Sequence, residues 1–534
     1  MGLSFDGFQQ MNLPALFDVN GSFGCPANAR PVFRTPADLL RHMDRLGIGR
    51  SIVFHIAARD YNPSHGNQQL LTELGPASDR LIPAFVIGPS LLYERGALAQ
   101  LQQAVATRRV RAIRLCPGTL RYPLAQVEAV LAAIAEHTPV VLVDRHELGA
   151  PADLVPLAKQ FPQLSFIYTQ TMWGHFATVL DLMQRCPNIL VDTSWLHMFG
   201  AIELVIEKFG ATRLVFGIGP RAHNGASITE LMDVPIAQAD RDLIAHGNLE
   251  RLLGLPTGLA LQPARPGQLW QQLLAGQPVQ TDIVDAHGHL GPPGTWMHAA
   301  RDIEEETTDL LRRMDRVGIR TAIISGMEAL FSDPVAGNKA LEKTLRPHGD
   351  RFKGYIAFNP IYDAELKPHL DDFLARPFFV GFKLLCDYWQ VTVSDPRLVT
   401  VWEYANRHRL PILLHTWDGP YSHPSLLRDI VKQYPNAFFL LGHSGGGESG
   451  RQAAEEIAIA NPNVYLEWCG SFCCLKPFEE TLQRVSHRQV VFGTDAAVHS
   501  PAWELGRALS LEVPDDTLIP ILGANMRTIL ASRR

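Results

Sequence analysis

At 534 residues the chain is too long for one ordinary domain and long enough to bury two large cores. A formal net charge of −6 offers no basic surface for nucleic acid, and 46% hydrophobic with 19% charged residues describes a globular chain rather than a disordered one. Seven cysteines, odd in number and irregularly spaced, argue against a disulfide framework and fit a reducing compartment.

The opening decapeptide MGLSFDGFQQ has no basic region followed by an apolar core. No uninterrupted apolar run reaches the roughly 20 residues that span a bilayer. The expectation is a cytoplasmic protein that engages neither membrane nor nucleic acid.

Read from the N-terminus, the elements are written twice. Met43-Asp-Arg-Leu-Gly-Ile48 recurs as Met314-Asp-Arg-Val-Gly-Ile319, and Gly66-Asn67 recurs as Gly337-Asn338 at the same spacing. Asp79-Arg80 with Asp350-Arg351, Leu214-Val-Phe-Gly217 with Val490-Val-Phe-Gly493, and Asn248 with Asn525 continue the register. The spacing drifts so slowly that each copy reads as a whole domain. In the second copy the expected strands are Ile283–His287, Thr321–Ser325, Phe352–Phe358, Val380–Leu385, Pro411–His415, Ala437–Gly442, Val464–Glu467 and Val490–Gly493. Eight short apolar runs separated by longer amphipathic ones imply parallel pairing through right-handed crossovers. The expected class is therefore α/β, as two tandem (β/α)8 barrels: residues 1–256, a linker over 257–281 with a short helical piece at Gln268–Leu274, and residues 282–534.

Active residues of such barrels lie at the C-terminal strand ends, and the second copy has six polar candidates there. In a strand, side chains two apart point the same way, so His287 and His289 project together. His415, His443 and Asp495 each follow an apolar run, and Lys383 belongs to the fourth strand. Cys469, Cys473 and Cys474 cluster without a paired CxxC spacing and read as buried packing.

This ordered set resembles the amidohydrolase superfamily of metal-dependent barrels, in particular its branch of hydrolases and non-oxidative decarboxylases. The motifs carrying the resemblance are Asp285-Ala-His287-Gly-His289, Gly381-Phe-Lys383, Leu414-His415, Gly442-His443-Ser444-Gly445-Gly446, Phe492-Gly-Thr-Asp495 and Gly523-Ala-Asn525-Met-Arg527. The resemblance implies that His287, His289, His415 and Asp495 hold one divalent metal ion, with His443 behind them or as a further ligand. Zinc is the default for such donors, with manganese or iron as alternatives. A divalent ion so held lowers the pKa of a bound water to about 7, and Asp495 would take and return its proton beside His443. Lys383 would carry a carbamate bridging two metals or, as favoured here, remain an ammonium beside a single metal.

The first copy departs at every ligand position, with Asn20, Ser22, Val143, Gln170 and Gly219 in place of the three histidines of the ligand set, His443 and Asp495. Arg114 matches Lys383, and Asp144 and Arg145 lie nearby, either binding a small anion or satisfying one another. The leading expectation is hydrolysis of an amide, ester or lactone of a small molecule; the alternatives are decarboxylation of an aromatic or unsaturated acid, and non-catalytic binding of a small molecule. Trp389, Trp417, Tyr421 and Trp468 would suit a planar substrate. The duplication also suggests an intramolecular pseudo-dimer of barrels, open to further homo-oligomerisation.

Overall fold

The computed structural model describes residues 13–75, 79–219, 225–258, 260–264, 267–291, 302–470, 475–496 and 498–534. Contacts divide the chain into two compact units whose boundary lies between Pro266 and Gly267. The first holds β1 (Leu16–Phe23), β2 (Ile48–His55), β3 (Leu81–Ile87), β4 (Ala112–Leu115), β5 (Val140–Asp144), β6 (Phe166–Thr169), β7 (Ile189–Asp192) and β8 (Leu214–Val215). These pair in sequence order, all parallel, and the amide of Val19 closes the ring on the carbonyl of Phe216 at 3.0 Å.

The second unit repeats the plan with β9 (Ile283–Leu290), β10 (Ile319–Gly326), β11 (Phe352–Ala357), β12 (Phe379–Leu384), β13 (Pro411–His415), β14 (Phe438–Gly442), β15 (Val464–Trp468) and β16 (Val490–Phe492). Helices lie between the strands, and a bridge between Gly288 and Ala496 closes the ring. Two tandem (β/α)8 barrels are thus present, as the alternating pattern predicts. The largest departure is β9, expected to stop at His287 but continuing to Leu290. A register shift opposite Ala322 and Ile324 lets Gly288, His289 and Leu290 go on pairing with Ile324, Ser325 and Gly326.

Inside the second barrel, alternate strand residues form an apolar plug of Val284, Ala286, Ile323, Leu413, Leu440 and Val491. Burying such a plug is the main term favouring the closed sheet. Tyr355 belongs to the same layer and donates its hydroxyl to the carbonyl of Ala286 at 3.1 Å.

The repeated motifs explain how helices meet strands. Gly47 and Gly318 end their helices in the left-handed region, φ 76° and 91°, and a Cβ there would come within 2.7 Å of the Leu261 carbonyl and 2.6 Å of the Val279 carbonyl. Asn67 clamps the backbone of Val86 through both amide atoms, and Asn338 does the same to Ala357. Asn248 and Asn525 each donate to two carbonyls flanking the start of the eighth strand. The helix Gln268–Leu274 forms as expected and buries Leu269, Trp270, Leu273 and Leu274. Among the described residues, no helix is long and apolar enough to cross a membrane.

Candidate metal centre

At the C-terminal mouth of the second barrel, β9 delivers His287 and His289, whose ring centroids lie 5.2 Å apart. The segment after β16 brings Asp495 back across them. Its amide donates to the carbonyl of His287 at 2.7 Å, and its Oδ1 lies 3.1 Å from His289 Nε2 and 3.5 Å from His287 Nε2. These three ligand atoms lie within 4.8 Å of one another. The buried Asp285 holds the arrangement from below, its Oδ1 accepting from the amides of His287 and Thr494 and its Oδ2 from the Thr494 hydroxyl. Burial raises the Asp285 pKa to about 7.

The far nitrogen of each ring is already engaged. Nδ1 of His287 lies 3.0 Å from Glu467 Oε2, Nδ1 of His289 lies 2.9 Å from Ser325 Oγ, and Nδ1 of His415 lies 3.0 Å from Asp387 Oδ2. That pattern turns each Nε2 away from its anchor, the way metal-ligating histidines are held. His443 joins through its ring, 5.0 Å from that of His287 and 4.9 Å from that of His415, with Nδ1 turned 3.4 Å from Cys469 Sγ. Only His287, His289 and Asp495 of the expected ligands therefore close into a tight group, and His415 and His443 stand beside it.

Lys383 rises from β12 into the same space, with Nζ 2.6 Å from His287 Nε2. An ammonium can only donate, so that Nε2 is an acceptor and Nδ1 carries the hydrogen shared with Glu467. Burial pulls the lysine pKa down to about 8, against the pull of Asp495, Cys469 and Glu467. Among the described residues, no carboxylate comes within ion-pair distance of the ammonium. Burial also holds His287 and His443 well below the ordinary imidazole pKa. Burial opposes ionisation of Asp495, but His287 and the hydrogen bond from His289 outweigh it and keep the carboxyl well below its ordinary range. Unprotonated imidazoles and an ionised carboxylate are the forms a divalent cation needs, so the donor set fits one.

A second group shares His287 from its other side: His443, Glu467 and Cys469, all buried. Cys469 is buried, as expected, yet its sulfur touches His287 Nδ1 at 3.2 Å and Glu467 at 3.2 Å, so it packs against the site itself. Cys473 and Cys474 lie outside the described residues. Glu467, Asp387 and Ser325 have no place among the sequence candidates. The available signal was a carboxylate closing the apolar run Val464–Glu467, which alone does not say which ring it reaches.

The amidohydrolase family profile matches residues 21–255 and again 284–530. This chain belongs to the amidohydrolase family. No curated protein matches it. Solved structures similar to this amidohydrolase chain include 2,6-dihydroxybenzoate decarboxylase from Rhizobium, 16% identical with a TM-score of 0.37 over 47% of this chain and 99% of that one. A dihydroxybenzoic acid decarboxylase from Polaromonas with bound manganese is 17% identical, with a TM-score of 0.37 over 47% and 97%. A putative amidohydrolase from Staphylococcus aureus is 13% identical, with a TM-score of 0.37 over 47% and 100%.

In the first amidohydrolase copy strand register sets Asp144, not Val143, at the place of His415, since Asp144 pairs with Thr169 as His415 pairs with Gly442, and the polar residues there engage one another. Arg114 donates to Asn20 Oδ1 and lies over the Phe54 ring at 4.5 Å, while Gln170 donates to Asp144. The aromatic expectations divide. Trp417 stacks on His415 at 5.6 Å, and Tyr388, absent from the sequence candidates, meets the same ring edge-on at 5.4 Å. Trp389 is buried with its indole N–H on the Leu330 carbonyl, and Trp468 stacks on Phe478.

Proposed function

We propose that the second barrel is a metal-dependent hydrolase that acts on an amide, ester or lactone carbonyl of a small molecule. The observation that carries this reading is the convergence of His287 Nε2, His289 Nε2 and Asp495 Oδ1 at the barrel mouth. His287, His289 and Asp495 would hold one divalent cation, with His415 completing the set. Zinc is the default, and manganese or iron accept similar donors. The cation would supply Lewis acidity for the carbonyl and bring a water into its nucleophilic range near neutral pH. Asp495, ionised and partly open to the mouth, accepts the proton of the attacking water and returns it to the leaving group. His443 donates toward the carbonyl oxygen, and Tyr388 and Trp417 wall the substrate beside His415.

A second reading is decarboxylation of an aromatic or unsaturated acid. The buried ammonium of Lys383, without a carboxylate in ion-pair reach, favours it, because a substrate carboxylate would supply the missing partner. Elemental analysis of the purified chain, followed by a substrate panel scored separately for carbon dioxide and for hydrolysis products, tests both. A metal-free chain inactive on every class would leave only the binding-protein reading. The first barrel is read as a non-catalytic companion copy, the role a second subunit takes in a dimer. Its support is the loss of the ligands from one copy alone. Comparing residues 282–534 with the full chain for activity tests it.

A further inference from the structure

Behind the ligand rings stands Glu467, on β15 and fully buried. One oxygen, Oε2, lies 3.0 Å from His287 Nδ1 and also accepts the backbone amide of His443 at 3.0 Å. The space is reserved for it: a Cβ on Gly493 would lie 2.1 Å from Glu467 Oε1 and 2.7 Å from the Cβ of His287. The first barrel supplies an internal comparison. Asp192 stands at the matching position of β7 and accepts the backbone amide of Gln170, the counterpart of His443, at 2.8 Å. Its carboxylate, one methylene shorter, serves the backbone anchor, and the residue matching His287 is Asn20, which has no ring to orient. The longer side chain in the second barrel thus adds one bond to an anchor that both barrels possess, and that bond goes to a candidate ligand.

We propose that Glu467 is a positioning residue: it holds the hydrogen of His287 on Nδ1, so that Nε2 keeps an unprotonated lone pair that a divalent cation would take over from Lys383, while anchoring the backbone at His443. The inference rests on the metal-centre reading above. Outer carboxylates of this kind typically contribute 10–100-fold in metal affinity.

Glu467→Asp separates the two bonds, because aspartate in the first barrel keeps the backbone anchor. Zinc or cobalt alone is titrated into the full-length apo protein against a chelating dye, with thermal unfolding of the apo form measured in parallel. The expected result is an unfolding midpoint close to wild type and a metal Kd raised about 10–100-fold, with a shifted visible spectrum of the cobalt form. Glu467→Gln is the second variant. It keeps an acceptor oxygen at Oε2 and places its amide nitrogen at Oε1, which has no partner among the described residues, so its Kd should rise less than that of the aspartate variant. Wild-type affinity and an unchanged cobalt spectrum in Glu467→Asp would overturn the proposal. So would two cations per wild-type chain falling to one in both Glu467→Asp and Cys469→Ser, since Glu467 would then be a ligand itself. A wild-type chain that takes up no cation would overturn the metal-centre reading, and this inference with it.

Discussion

His443 and Gln170 hold the same left-handed backbone at the end of the sixth strand of their barrels, with φ of 59° and 64°. Asp495 and Gly219 do so after the eighth, at 57° and 76°. A non-glycine residue in that region costs about 1–2 kcal/mol. The first barrel bears the conformation with an amide where the second has an imidazole, so the scaffold imposes it: the amides of Gln170 and His443 are both caught by a carboxylate from the seventh strand. The mouth is shaped before any ligand residue is placed in it.

His289 supplies one of the three donors that converge most tightly. His289→Ala should leave the secondary structure unchanged and remove bound metal and activity together. Circular dichroism and elemental analysis check this; a variant that retains one equivalent of metal contradicts the assignment.

Asp495→Asn keeps the size and one coordinating oxygen but cannot accept a proton. Metal content should fall modestly and kcat by roughly 10²–10⁴-fold. Near-normal turnover would move the proton acceptor to another group, with His443 the next candidate.

Lys383→Met removes a buried cation of similar length. If the ammonium meets a substrate carboxylate, KM for a carboxylate substrate should rise about 10–100-fold, the range of a lost charged hydrogen bond, with metal content unchanged. Loss of metal in this variant would instead make Lys383 part of the cation-binding group, and intact mass would then show whether a carbamate is present.

His42 in the first barrel is buried, with Arg45 donating to its Nδ1 at 3.2 Å, and its pKa is lowered to about 3 by burial and by that arginine. In the unfolded chain it binds a proton near pH 6.5. Between those values the unfolded state holds more protons, so stability is full above pH 6.5 and falls as the pH drops, by up to about 1.4 kcal/mol per unit. Denaturant unfolding at pH 7, 5 and 4 should show this slope, and His42→Leu should flatten it. An equal slope in the variant excludes His42 as its source.

Asn525 donates to the carbonyls of His487 and Val490, both at the entrance to β16. Asn525→Ala leaves them unpaired and should cost about 1–3 kcal/mol. Urea unfolding of the second barrel measures it, and an unchanged midpoint would show that the two carbonyls find other partners.

The amino-acid order alone determined the duplication and the barrel class, because both rest on local signals: repeated helix-ending glycines, strand-docking asparagines and alternating apolar runs. Most of the repeated residues, such as Gly47, Gly318, Asn67 and Asn338, prove to serve the joining of helices to strands. The pairing of His287 with His289 was legible for the same reason, since two residues of one strand share a side without any help from the rest of the fold. Only the tertiary structure decided which groups stand behind them. Glu467 lies 180 residues from His287, and Asp387 lies 28 from His415. Such contacts are set by barrel closure and strand register, which bring together residues whose spacing along the chain carries no periodic signal. The chain order also gave no reason to separate His415 from the tight group, because strand ends specify only that side chains reach the mouth. How far each reaches, and which nitrogen it turns inward, is settled by the packing of neighbouring loops.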